Sequence, residues 1–106
     1  DYADQIIFMN WPAVAVAADE TTVDAKKGMI FRTSENTKAT ALTDIVNARE
    51  GVIYRIEAGT AANATSIAKD GKFSEISAAW APTAAGEYIK LYYDAETQKF
   101  HDVARG

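Results

Sequence analysis

The stretch GEYIKLYYDAETQKFHDV, residues 86–103, decides how this chain is to be read. Its first part alternates Tyr88, Ile89, Lys90, Leu91 and Tyr92 in the two-residue period of a strand, ending in the adjacent pair Tyr92-Tyr93, which must point to opposite sides. DAETQ, residues 94–98, is a polar turn, and residues 99–103 form the returning strand. Working outward, the same design recurs in KKGMIFRT (26–33) and AREGVIYRI (48–56), each with a glycine ahead of alternating apolar residues. The expected fold is therefore all-β or nearly so, a small sheet domain of strand-turn-strand repeats arranged as a sandwich, a barrel or a β-helix-like stack of hairpins.

The remaining segments fit around these repeats. QIIFMN (5–10) and residues 13–17 read as two extended pieces separated by Pro12, with Val14 and Val16 on one face and alanines on the other. Residues 19–24 read as a connection. In 29–33, Met29, Phe31 and Thr33 should point one way and Ile30 and Arg32 the other, as suits a half-buried strand, and SENT (34–37) should turn the chain back into a second strand over 39–42. Residues 44–50 read as a helical turn or an irregular connection, too short for an independent helix. The polar stretch 58–63 leads to a β-like segment at 64–68. The insertion between the second and third repeats should pack across the sheet, anchored by Phe73, Ile76 and Trp80.

Composition limits the function. The chain has 106 residues, enough for one domain with one modest core, and its 48% apolar and 25% charged residues are those of a folding globular protein. Fifteen acidic against 11 basic residues give a net charge of −4, and the basic residues are scattered, which disfavours nucleic acid. With no cysteine, disulfides, thiolate metal sites and a cysteine nucleophile are excluded. No apolar run approaches the roughly 20 residues of a membrane helix, and no basic-then-apolar leader opens these residues, so no membrane partner is expected.

No catalytic, cofactor-binding or metal-binding residues emerge. His101 is the only histidine, so it has no imidazole partner for a metal and no serine in a nucleophile-elbow pattern to activate; it reads as a surface or edge residue. The carboxylates Asp19, Glu20 and Asp24, and Asp94 with Glu96, lack the spacing of a calcium loop and read as solvated turn residues. No glycine string matches a phosphate loop. The aromatic residues carry more: Trp80, Tyr92 and Tyr93 are candidates to stack on a ligand such as a sugar. Ile6, Phe8 and Trp11, with Phe100, are candidates for a protein interface.

Three runs, ALTDIVNAREGVIYRI (41–56), NATSIAKDGKFSEISAAW (63–80) and AGEYIKLYYDAETQKFHDVAR (85–105), resemble a β-rich structural module of tailed-bacteriophage virion proteins, of the capsid-decoration or fibre type. The matching features are Gly51 before residues 52–56, Ser66-Ile67, Gly71-Lys72-Phe73, Trp80, and residues 88–93 followed by Phe100 and Arg105. The resemblance spans 41–105, and residues 1–38 would be adaptor strands within the same domain. It implies a non-enzymatic virion protein without cofactors, assembled in the bacterial host and carried on the particle surface. Its implied partners are itself, as a homotrimer, and other virion proteins such as a major capsid protein. A receptor- or carbohydrate-binding module of a fibre is the alternative.

Overall fold

The structure, a computed structural model, describes residues 13–106. Seven strands follow one another: β1 (Val14–Ala15), β2 (Thr22–Asp24), β3 (Ile30–Arg32), β4 (Asp44–Val46), β5 (Ile53–Glu57), β6 (Tyr88–Asp94) and β7 (Lys99–Arg105). A single 3-10 turn, Gly71–Phe73, precedes β6. There is no α-helix among the described residues, so the all-β class holds. A five-stranded sheet has the order β1-β3-β5-β6-β7, and β2 pairs with β4 in a separate two-stranded sheet.

Pairing is parallel in the first half of the chain and antiparallel in the second. β1, β3 and β5 run parallel, with Val14 opposite Phe31 and Phe31 opposite Ile56. β2 and β4 are also parallel, with Val23 opposite Ile45. The chain thus alternates between the sheets, laying each new strand beside the one placed a circuit earlier. A parallel neighbour requires a crossover of about a dozen residues or more, and residues 16–29 and 33–52 supply it by way of the small sheet.

Three expectations are corrected by this path. Residues 19–24 are not merely a connection, because Thr22–Asp24 is a strand. Residues 44–50 begin with strand β4 and contain no helical turn. SENT does not close a hairpin between 29–33 and 39–42: β3 pairs with β1 and β5, and Ala41 bridges in parallel to Ser66.

The reason lies in Asn36, which is buried at 2% exposure and accepts a hydrogen bond from the Asp19 amide at 2.6 Å. Its side-chain amide donates to the Asn63 carbonyl at 2.8 Å and to Thr65 Oγ1 at 2.9 Å. The turn is therefore fastened to the corners before and after it in the chain, and a buried amide holds its position by being satisfied there. Gly59 closes the same corner region: a Cβ on it would stand 2.2 Å from the Thr33 carbonyl oxygen, which only glycine avoids.

Of the three expected strand-turn-strand repeats only the third is a hairpin, and the first two contribute single strands that pair with each other in parallel. Aligning KKGMIFRT with AREGVIYRI by their glycines sets Phe31 against Tyr54, whereas the sheet pairs Phe31 with Ile56. The shift is two residues, so each side chain keeps its face. Between the sheets, Phe31, Ile45, Tyr54, Ile56, Ile89, Leu91 and Phe100 are all at 2% exposure or less. Phe73, Ile76 and Trp80 are buried as expected and anchor the insertion. Lys99 holds the 3-10 turn against β7 through the Ser74 hydroxyl at 2.8 Å. Arg105 holds the next loop by donating to the Ala78 and Ala79 carbonyls and to Asp102.

Candidate functional site

The alternation that buries one face of the five-stranded sheet places a distinct set of residues on the other. Arg32, Ile53, Arg55, Tyr88, Lys90, Tyr92 and His101 alternate with buried residues of their strands, Arg32 and Ile53 exposed and the others half-buried. Register brings them together: Arg55 is paired with Lys90, Glu57 with Tyr88, Ile53 with Tyr92 and Tyr92 with His101.

Electrostatics organises the centre of this face. Glu57 is only 8% exposed and accepts hydrogen bonds from Arg32 Nε at 2.7 Å and Arg55 Nε at 3.1 Å. The Arg55 guanidinium also lies 4.0 Å from the centroid of the Tyr88 ring, with Lys90 Nζ at 5.7 Å from the same ring. Cations are attracted to the negative face of an aromatic ring, so Tyr88 holds both side chains extended along the sheet. Three cations, Arg32, Arg55 and Lys90, thus stand against one carboxylate, giving a basic patch on a chain whose net charge is −4.

Toward one end of the face, Tyr92 and His101 stack with ring centroids 5.0 Å apart and planes 13° from parallel. His101 Nε2 lies 3.9 Å from Asp94 Oδ2. Apolar surface flanks the charges: Ile53 is 39% exposed. Val103, skipped where the β6–β7 register shifts beyond Lys90, is 51% exposed.

The sequence candidates separate cleanly in three dimensions. Tyr92 is on the outer face. Trp80 is not a stacking platform, because it is buried at 5% exposure and paired through its backbone with Ile67. Tyr93 points to the opposite side from Tyr92 and packs against the core, 5.0 Å from Phe100. Phe100 is not an interface residue: it has 0% exposure and stacks on Phe73 at 5.1 Å. Ile6, Phe8 and Trp11 lie outside the described residues.

Acidic turn residues serve their own loops. Asp19 accepts hydrogen bonds from the Thr37 hydroxyl and amide, which hold its carboxyl below the usual value. Asp24 is held low by Asn47 and by the Lys26 amide. Asp102 is pushed up by burial, but the Ser77 hydroxyl and amide and Arg105 outweigh this and leave it lowered.

The basic patch was missed in the sequence, although its signal was present. Arg32, Arg55 and Lys90 occupy outward positions in the three repeated strands, so alternation alone would have put them on one face. Comparison of the chain with protein-family models, with curated proteins and with solved structures finds no match in any of the three.

Proposed function

We propose that the chain is a non-enzymatic structural subunit of a phage particle, a capsid-decorating or head-fibre module, which docks the outer face of its large sheet on an acidic, partly apolar protein surface. In its finer architecture the fold is a short β-helix-like stack of two circuits, closed on one side by the hairpin β6–β7. The single observation that carries the docking mode is the basic patch of Arg32, Arg55 and Lys90, ordered over Glu57 and Tyr88 and flanked by exposed Ile53. Opposite charge steers and registers such contacts, while the apolar margin supplies burial. The resemblance in 41–105 supplies the particle setting. The carbohydrate-binding alternative keeps only Tyr92 of its three aromatic candidates, one face of which already stacks on His101.

Light scattering across protein and salt concentrations tests the reading. The expected result is a trimer at every protein concentration in low salt, weakening as salt screens the contact, with Arg55→Glu combined with Lys90→Glu shifting the mass toward monomer. A strict monomer throughout overturns self-assembly, and a trimer indifferent to both charge reversals removes this face from the interface.

A further inference from the structure

One position on the outer face of the large sheet carries a charge that is not fixed. Guanidinium and ammonium groups keep their charge near neutral pH, whereas an imidazole gains or loses its proton between about pH 5 and 8. His101 is the only imidazole in the chain. Register sets it opposite Tyr92 on β6, and Tyr92 opposite Ile53 on β5, while the adjoining row on the same face is Arg55 opposite Lys90. The histidine therefore lies beside the basic patch, level with its apolar margin.

The groups around this imidazole set what its proton does. Its ring stacks on Tyr92 at 5.0 Å, and its Nε2 stands 3.9 Å from Asp94 Oδ2, with the two side chains 29% and 30% exposed. Among the described residues, Asp94 is the one charged group within ion-pair distance of it. Lys99, opposite Asp94 on β7, donates instead to the Ser74 hydroxyl at 2.8 Å. The 3-10 turn, whose charged residue is Lys72, meets β7 on its inner face through Phe73 on Phe100. Asp102 and Arg105 pair with each other and with the loop around Ser77 and Ala79. With the imidazole neutral, the Asp94 carboxylate stands unmatched beside it and repels an acidic partner. With the imidazole protonated, that carboxylate is offset, and the cation is attracted to the Tyr92 ring on which it already stacks. We propose that His101 makes the docking face pH-sensitive: as imidazolium it offsets Asp94 and extends the positive field of Arg55 and Lys90 along the apolar margin, so the face holds an acidic surface more tightly in mild acid than in mild base. This rests on the docking mode proposed above and adds its regulation. Complementary charge across a contact strengthens it, and the gain is present only while the proton is bound.

Poly-glutamate serves as the acidic surface in the test. It is titrated into the full chain in low salt at about pH 6 and about pH 8, with circular dichroism confirming that each variant is folded. The unaltered chain is expected to bind about 2- to 5-fold more tightly at the lower pH, the effect of one solvent-exposed charge pair. His101→Gln should bind at the weaker level at both pH values, and His101→Lys at the tighter level at both. Equal affinity of the unaltered chain at the two pH values, or a pH dependence that survives in His101→Gln, overturns the inference and leaves the docking face in place. No binding at either pH, or binding that Arg55→Glu combined with Lys90→Glu leaves intact, overturns the docking reading itself and this inference with it.

Discussion

The hairpin β6–β7 and the parallel strands β1, β3 and β5 belong to one sheet, yet they are held in place differently. In the hairpin, the four residues 95–98 join strands whose partners lie close in sequence, and Phe100 packs between Phe73 and Tyr93. In the parallel part each strand meets a partner at least a full circuit away, and corner residues such as Asn36 and Gly59 set the path. Local pairing makes register a matter of turn length; distant pairing makes it depend on how the corners lock. The hairpin should therefore fail through its core, and the parallel strands through their corners.

The sharpest way to break that contrast is Phe100→Ala. A fully buried phenylalanine truncated in a core costs about 3–5 kcal/mol, which urea unfolding will measure. Loss of protection confined to β6, β7 and the 3-10 turn would show the hairpin separable from the rest. Asn36→Ala comes next. It strands the Asp19 amide and removes the donor to Thr65 Oγ1, while the Asn63 carbonyl keeps the backbone N–H of residue 36, and about 2–3 kcal/mol is expected from the penalty for unsatisfied buried groups. Hydrogen exchange should then quicken in β1 to β5 before it quickens in the hairpin.

Acid sharpens the comparison further. Asp102 in the hairpin and Asp19 and Asp24 in the parallel region all have carboxyls held below their ordinary value of 3.8. A carboxyl with a lower pKa folded than unfolded contributes stability that is fully present above the unfolded value and disappears as pH falls through the folded one. Stability should accordingly drop below about pH 4. Asp102→Asn should flatten part of that drop, as followed by thermal unfolding across pH. The smallest effect is expected for Thr33→Val. The Thr33 hydroxyl is buried without a hydrogen-bond partner among the described residues, so replacing it by a methyl of the same shape should change stability by less than about 1 kcal/mol, toward greater stability.

Much of the fold was legible beforehand. Val14 shares a face with Val16, and Met29 with Phe31 and Thr33, as their alternation requires, and in each case that face turns to the core. The anchors Phe73, Ile76 and Trp80 are buried as their place in the insertion required. The topology was not legible, because a glycine-apolar-turn pattern is the same whether a strand pairs with its neighbour or with a strand from the previous circuit. β2 and β4 were overlooked for a related reason. With three residues each and one buried side chain apiece, they carry too little alternation to stand out from polar connections. Among the candidate site residues, burial reversed the reading of Trp80 and Phe100, since an aromatic residue of a strand looks alike in sequence whether it lies on the inner or the outer face.

Sequence by itself determined the strand character, the inward faces, the buried anchors and the lack of any recognisable catalytic motif, because these depend on two-residue periodicity and on which side chains are present at all. Tertiary structure alone decided that the first strands stack in parallel and that Asn36 is a buried fastener. It also decided that Arg32 and Arg55 meet at Glu57 and that Arg55 and Lys90 share the Tyr88 ring. Each of these needs residues 17 or more positions apart to come together, and that proximity is set by how the corners fold and which core faces match.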